Sequence, residues 1–573
     1  RTLTLKPYQM EGVRWLVGLY NIKANAILGD EMGLGKTVQA ISYLVHVKHM
    51  SGGEADPRPS LVLCPLSLVQ TWAEEMSRFA PSLVHCKYIG PSEERSVLRN
   101  EAIAHAKRCI KEGKPLSFLK YDVVITTPDV LLMDDYFLSE YDFRSMVIDE
   151  AHRLKNPKSK LYEILMQSFT KCQHRVLLTG TPIQNNMSEL WALLHFVAPD
   201  LFTDAATFTG SWFPQAKLQS AGNDPSPKAS PVAKALQDLL SYFMLRRCKA
   251  DVLSDLPPKT EFLLYAPLSM MQKHFYKRIL KKDIHAVFGG SKKALTNVVM
   301  QLRKCCNHPY LFEGAEPEPF VAGDHIITNS SKMVLIDKLL QKLQKGGHKV
   351  LLFSQMTTML DILQDYMEYR GYSYERLDGS VRGEDRFASV KKFQKGADTF
   401  AFLLSTRAGG LGLTLTAADT VVFVDSDWNP QVDIQAQERA HRIGQTKKVT
   451  IYRIICKDTV EDLVLKRALM KIKLTNAVLG NPTTVNDEDA TNLVDIIKFG
   501  AAGLLGADDR ADSVPPSAEG GFKPDAPYQA FLDTAIEDLL KEKEQVSYAT
   551  ATKAAGTATE SVYVYQGKDY KEV

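Results

Sequence analysis

A glycine-rich turn set between an apolar strand and an amphipathic helix constrains this chain more than any bulk property. Ala24 to Leu28 is an apolar run of the length of a short buried strand. From Thr37 to Met50, the apolar residues Val38, Ile41, Leu44 and Val45 recur at helical spacing. Between them lies Gly29-Asp30-Glu31-Met32-Gly33-Leu34-Gly35-Lys36-Thr37. A strand, turn and helix of this kind present backbone N–H groups and a helix N-terminus to an anion. Lys36 can neutralise the β- and γ-phosphates of ATP, and the Thr37 hydroxyl can ligate Mg²⁺. Asp30 departs from the G-x-x-x-x-G-K-[ST] pattern, because it stands where the first glycine belongs. Taken alone, the stretch also fits a flexible surface loop.

A second motif decides between these readings. Asp149-Glu150-Ala151-His152 follows the strand-like Met146-Val147-Ile148. A carboxylate at a strand end can hold Mg²⁺ through water, which assigns that work to Asp149. Its neighbour Glu150 can orient and deprotonate an attacking water. An acidic pair capping a helix would look the same in isolation. Placed about a hundred residues after a strand, a G-K-T turn and a helix, it reads as the second half of a nucleotide site.

The surroundings agree. At 573 residues the chain has room for two or more domains. Between Lys6 and Thr181, strand-like runs (Ser60–Pro65, Tyr121–Thr126, Ser145–Ile148, Arg175–Leu178) alternate with helical patterns (Leu68–Phe79, Glu93–Glu112). This predicts an α/β, mainly parallel, doubly wound sheet with its ligands at the carboxyl ends of the strands. Gln215–Pro231 shifts to Ser, Pro, Gly and Asn and reads as a mobile surface insertion, followed by a basic helical stretch at Met270–Lys304. A second alternation then runs from Lys332 to Ile455, including a strand at Lys349–Phe353 and a helix at Val432–His441. It has no phosphate loop of its own. The expected division is 1–245, 246–480 and an acidic, partly disordered linker at 481–573, interrupted by amphipathic pieces at Thr491–Leu505 and Pro527–Lys541.

Charge and cysteine usage narrow the class further. Residues 481–573 carry 8 Lys+Arg against 17 Asp+Glu, a net of −9, so the first 480 residues hold +12 of an overall +3. A basic body suggests a polyanion partner, with the acidic segment a possible competitor for it. The eight scattered cysteines, with no C-x-x-C pair, suggest reduced thiols in a cytosolic or nuclear compartment. Cys305-Cys306-Asn307-His308 lacks a second ligand pair at finger spacing and reads as buried structure rather than as a zinc site. No apolar run spans a bilayer, and no membrane partner is expected. Arg1 opens directly on structured-looking sequence, as a segment trimmed from a longer protein would.

Further motifs carry a resemblance. Gln9 in Pro7-Tyr8-Gln9 resembles the adenine-reading glutamine of superfamily 2 helicase-like ATPases. Leu177-Leu178-Thr179-Gly180-Thr181-Pro182-Ile183-Gln184-Asn185 looks like their third motif in its SWI/SNF form. Ser405-Thr406-Arg407-Ala408-Gly409-Gly410-Leu411-Gly412, Asp427-Trp428-Asn429-Pro430 and Gln435 to Gln445 complete the set in order. Across roughly residues 3–480 the chain is similar to SWI/SNF-related chromatin-remodelling ATPases, in which an aspartate at the position of Asp30 is usual. The resemblance implies two tandem RecA-like lobes with helical insertions. ATP and Mg²⁺ would be held by Gln9, the loop Asp30–Thr37 and Asp149, with Lys36, Asp149 and Glu150 catalytic.

Arg439 and Arg442, three apart on an expected helix, would leave one face together and act as arginine fingers when the lobes close. One of them could instead make a structural ion pair. The same likeness implies contacts to double-stranded DNA from Thr126, Thr127, Lys155, Ser354, Gln355, Ser405, Thr406 and Arg407. Trp428 is a further candidate, although a tryptophan is equally at home in a core.

Leu493 to Gly500 and Tyr563 to Tyr570 look closest to the CHD-like, macro-domain-bearing subgroup. Those stretches imply a nuclear enzyme that slides nucleosomes in the DNA-damage response. A longer parent would add a macro domain that reads poly(ADP-ribose). Competing readings are a translocase that remodels a non-histone protein on DNA, a catalytically idle chromatin scaffold and a strand-separating helicase.

Overall fold

Strands of a parallel sheet covered on both faces need apolar residues without alternation, and each half of this chain supplies them. The structure, a computed structural model, describes residues 4–50, 56–113, 117–180, 187–212, 239–253, 255–282, 292–381, 383–396, 398–406, 412–479, 524–541, 544–545, 564–565 and 568–569. The chain divides into two units, Arg1–Ser254 with Thr475–Thr483, and Asp255–Leu474 with Thr484–Val573.

The first unit is built on β1 (Ala26–Leu28), β2 (Ser60–Leu63), β3 (His85–Tyr88), β4 (Val123–Thr126), β5 (Met146–Ile148), β6 (Arg175–Leu178) and β7 (Met244–Leu245). Their order across the sheet is β3-β4-β2-β5-β6-β1-β7, and every pairing is parallel. All residues of β1, β2, β4, β5 and β6 are buried. Helices α1 (Pro7–Asn21), α2 (Lys36–Met50) and α3 (Leu66–Phe79) cover this sheet. Leu16, Ile41, Leu44, Trp72 and Met76 fill the layer between them and the strands. The parallel arrangement brings the ends of β1 and β5 to one edge, and with them Gly29 and Asp149.

Two strands of this unit escape sequence reading. His85-Cys86-Lys87-Tyr88 is an edge strand whose side chains are only partly covered, and β7 is two residues long.

The second unit repeats the architecture on β8 (Lys259–Ala266), β9 (Val350–Ser354), β10 (Tyr374–Leu377), β11 (Ala401–Ser405), β12 (Thr420–Phe423), β13 (Val449–Cys456) and β14 (Glu544–Gln545). The order is β10-β11-β9-β12-β13-β8-β14, parallel except for β14. Strand β8 lies where the sequence suggested only helical insertion, and its eight residues pair along their whole length with β13. The basic helical stretch is two helices, Met270–Lys282 and Lys292–Asn307.

Part of the acidic segment is ordered. The helix Ala526–Asp533 buries Tyr528 and Phe531 in the core of this unit. Lys338 donates to the carbonyls of Phe531, Leu532 and Thr534, so a cation closes the C-terminal end of that helix. The amphipathic piece Thr491–Leu505 and the insertion Gln215–Pro231 lie outside the described residues. Among the described residues no helix is long and apolar enough to cross a membrane.

His308 makes the second unit acid-sensitive. It is fully buried, its Nε2–H donates to the Ile326 carbonyl, and its Nδ1 accepts from the Tyr310 N–H. Protonating Nδ1 would set two donors against each other, and burial lowers the pKa from 6.5 to about 4. The unfolded histidine takes up a proton as pH falls through 6.5, whereas the folded one does so only near 4. Stability is therefore lost across that window, by up to about 3 kcal/mol for the full shift. Denaturant unfolding should show the gap between wild type and His308→Gln narrowing from pH 7 to pH 5. A gap that stays constant would remove the role assigned to this histidine.

Candidate nucleotide-binding site

The turn after β1 bends through two left-handed glycines, Gly33 (φ +86°) and Gly35 (φ +80°). A Cβ on Gly35 would sit 2.6 Å from Gln9 Nε2, so a side chain is also excluded there by the start of α1. Gln9 Nε2 and the Tyr8 hydroxyl both donate to the Leu34 carbonyl, at 3.1 and 2.9 Å. Gln9 and the loop are thus joined.

Lys36 opens α2, and its Nζ donates to the carbonyls of Asp30 (2.6 Å) and Glu31 (3.4 Å). Burial lowers its pKa, while the charges of Asp30, Glu150, Asp149 and Glu31 act to raise it. Its ammonium rests on two backbone carbonyls, which phosphate oxygens would replace. Thr37 follows it in the first turn of α2.

Asp30 and Glu31 differ from expectation. The Asp30 side chain is unexposed and accepts hydrogen bonds from Arg247 and Gln39, so only its backbone is available to a nucleotide. Glu31 accepts from the Lys249 N–H at 2.7 Å. Both carboxylates fasten the loop to residues 247–249, a role the sequence did not disclose.

Asp149 and Glu150 leave the end of β5. One Asp149 oxygen accepts from the Trp72 indole N–H (2.9 Å) and the other from the Glu150 N–H (2.8 Å). Burial and the Glu150 charge push the Asp149 carboxyl up to about 6. Glu150 itself has φ +51°, a strained conformation for a residue with a side chain. Its carboxylate lies 3.2 Å from His152 Nδ1. Two crowded carboxylates facing one lysine suit a divalent cation, which would relieve their repulsion. Asp149 and Thr37 are the residues that would hold Mg²⁺.

The expected DNA-contact residues fare unevenly. The Thr126 hydroxyl is buried and donates to the Tyr88 carbonyl at 2.7 Å, and Thr127 caps the helix Pro128–Met133 by accepting from the Val130 N–H. Ser354, Ser405 and Thr406 are buried as well, and the Ser354 hydroxyl accepts from the Met356 N–H. The hydroxyls of Thr126, Thr127 and Ser354 thus already bond neighbouring backbone, whereas Thr406 Oγ1 is buried with no hydrogen-bond partner among the described residues. Lys155 and Gln355 are half-buried; Lys155 lies 3.6 Å from Glu189. Trp428 is half-buried against the core around Cys305 and Cys306, with the Arg303 guanidinium 5.9 Å from its ring. Arg407 and residues 181–186 and 408–411 of the expected motifs lie outside the described residues.

The arginine motif also needs correction. The helix Pro430–Gln437 stops before Arg439, so Arg439 and Arg442 sit in turns and share no helical face. Tertiary hydrogen bonds compete with helix continuation there. The Arg439 carbonyl accepts from the Leu415 N–H, His441 Nε2 donates to the Pro257 carbonyl, and Lys259 pairs with Glu438 at 2.7 Å. Gln445 is the buried staple of this segment. Its amide reaches the carbonyls of Thr416, Ala418 and Ala440, and its oxygen accepts from the Thr446 and Lys447 N–H groups.

The tempting Cys305–His308 stretch is structural. Cys306 comes within 4.8 Å of Cys456 and Glu461, but Glu461 is already bonded to Lys332 (2.6 Å) and to the Cys456 N–H (2.9 Å).

Residues 8–311 match the SNF2-related domain, and residues 331–444 match the helicase conserved C-terminal domain. Among similar proteins, a Chromodomain-helicase-DNA-binding protein 1-like of Mus musculus is 44% identical over 100% of this chain and 61% of its own length. An ISWI chromatin-remodeling complex ATPase of Arabidopsis thaliana is 44% identical over 88% of this chain and 46% of its own. The SWI/SNF-related matrix-associated actin-dependent regulator of chromatin subfamily A member 1 of Homo sapiens is 40% identical over 99% of this chain and 52% of its own. The chain therefore spans about half to three-fifths of the length of these relatives.

Proposed function

We propose, from the premise that the chain belongs to the SNF2-related family, that it is the motor of an ATP-dependent chromatin remodeller. The motor hydrolyses ATP with Mg²⁺, tracks along double-stranded DNA and slides nucleosomes. The observation that carries this reading is the gathering of Lys36, Asp149 and Glu150 at one edge of the first sheet, with Gln9 bonded to the phosphate loop. In that site Lys36 neutralises phosphate charge and Glu150 draws a proton from the attacking water, while Asp149 and Thr37 would hold Mg²⁺, which would supply positive charge to the phosphates. Arg439 and Arg442 of the second unit supply positive charge to the phosphoryl in transit. Each round of closing and product release moves one unit along a DNA strand. Lys155, Gln355 and Arg407 serve the DNA backbone, in contacts that salt weakens and sequence barely modulates.

The relatives named as chromatin-remodelling ATPases support the nucleosome as substrate and the nucleus as its place. The likeness of Leu493–Gly500 and Tyr563–Tyr570 to the macro-domain-bearing subgroup supports a role in the DNA-damage response. A longer parent protein would then couple this motor to poly(ADP-ribose). The deciding measurement is the steady-state ATPase rate without nucleic acid, with naked duplex and with reconstituted nucleosomes. The expected order is nucleosome above duplex above none. A folded protein whose hydrolysis ignores both would end the proposal. Stimulation by duplex alone would move the substrate to a non-histone protein on DNA.

A further inference from the structure

An aspartate in the phosphate loop where the pattern calls for glycine demands a physical account. Asp30 is completely buried, and a lone carboxylate there would be expensive and would repel phosphate. The account lies at Arg247, just past β7. Its guanidinium meets the carboxylate side-on, Nε to Oδ1 at 3.0 Å and Nη2 to Oδ2 at 2.6 Å, and its backbone N–H adds a third bond to Oδ1 at 3.2 Å. Gln39 of α2 donates to Oδ2 at 3.1 Å and accepts from Arg247 Nη2 at 2.8 Å. Arg247 Nη1 donates to the Tyr8 carbonyl, and the guanidinium lies 5.3 Å from the Tyr8 ring. One side chain therefore touches the start of α1, the phosphate loop and α2.

The backbone runs in step with this grip. The N–H groups of Ile27, Gly29 and Glu31 donate to the carbonyls of Phe243, Leu245 and Arg247 in turn. The ladder continues from β1 past its end into the loop itself. Space is also reserved for it: a Cβ on Gly12 of α1 would meet Gln39 Oε1 at 2.0 Å and Arg247 Nη2 at 2.7 Å.

We propose that Arg247 is the positioning residue of the phosphate loop, the counter-charge that makes Asp30 serviceable in the place of a glycine. The inference rests on the nucleotide reading above. Arg247 touches no reacting atom. It sets the loop's shape and, through Tyr8, the approach of Gln9.

The test is a two-by-two set of variants, Arg247→Met, Asp30→Gly and both together, titrated with Mg·ADP by calorimetry and checked by thermal unfolding. Arg247→Met alone leaves a buried unpaired carboxylate beside the phosphates and should weaken Mg·ADP binding by about tenfold or more. Asp30→Gly restores the glycine, so adding Arg247→Met to it should cost less than about threefold. Arg247→Lys, which cannot form the fork, should fall between. Binding by Arg247→Met within twofold of wild type would overturn the proposal, as would a double variant no better than Arg247→Met. Should Arg247→Met fail to fold, the double variant must fold and bind within threefold of Asp30→Gly, and failure there also overturns it. Wild-type protein that takes up no Mg·ADP would remove the nucleotide reading as well. Wild-type binding without coupling removes this inference alone.

Discussion

Glu150→Gln is expected to slow ATP hydrolysis by about 10²–10⁴-fold while leaving Mg·ATP affinity within a few-fold of wild type. Glutamine keeps the shape and one hydrogen-bonding oxygen of glutamate but cannot accept the proton of an attacking water. The left-handed backbone at this position supports the choice of residue, because strain at φ +51° survives only where the surroundings impose it. Asp149 holds that backbone in place by accepting from the Glu150 N–H, which ties the water-handling residue to the proposed metal-holding one. Single-turnover hydrolysis, together with calorimetric titration of the variant with Mg·ATP, separates chemistry from binding. A rate within tenfold of wild type would take the general-base role away from Glu150. Lys36→Ala should fail differently, losing affinity together with rate, since its ammonium meets ground-state phosphate as well.

Much of the fold could be read because its signals are local. The runs Ser60–Leu63 and Arg175–Leu178 each carry three consecutive apolar residues after one polar one and are buried throughout, as strands covered on both faces must be. The helix that follows the phosphate loop shows part of its buried stripe in the sequence: Ile41 and Leu44 are buried, Val38 and Val45 only half so. What could not be read depends on partners far along the chain. Arg247 and Asp30 are 217 residues apart, and β7 is too short to have a periodicity. The departure of Asp30 from the glycine pattern was itself the signal, since a buried carboxylate requires a cation somewhere. The Arg246-Arg247 pair after the apolar Phe243-Met244-Leu245 was a candidate source. The hydroxyls expected to meet DNA show a different limit. Thr126 and Ser354 stand at strand ends, where ligands gather in such sheets, yet neighbouring backbone claims both. Motif identity placed those residues at strand ends and could not reveal which way a hydroxyl faces.

Removing either arginine of the second unit should be as damaging as removing the base, with Arg442→Ala and Arg439→Ala each lowering turnover by about 10³-fold or more. The two losses should nevertheless look different. Arg442 is half-buried, with its Nη1 3.4 Å from the Leu413 carbonyl, and its alanine variant should bind Mg·ATP normally and lose less stability than the Arg439 variant. Arg439 is buried, and the segment around it is pinned by the Leu415 N–H, Lys259–Glu438 and the Gln445 staple. Truncating this buried side chain removes packing, so the alanine variant should lose about 1–3 kcal/mol of stability in addition to activity. Lysine should rescue neither, because the transferring phosphoryl presents several oxygens to a planar fork that an ammonium cannot reproduce. The measurement is nucleic-acid-stimulated ATPase beside thermal unfolding for each variant. Full activity in Arg442→Ala would reduce that residue to a structural contact and leave Arg439 as the sole finger. Full activity in both would mean that the charge completing the site comes from elsewhere. Because the pair sits in turns held by tertiary bonds rather than on a helix, Gln445→Ala should loosen the segment and lower turnover without touching Mg·ATP affinity. That is the pattern expected when positioning is lost and binding is retained.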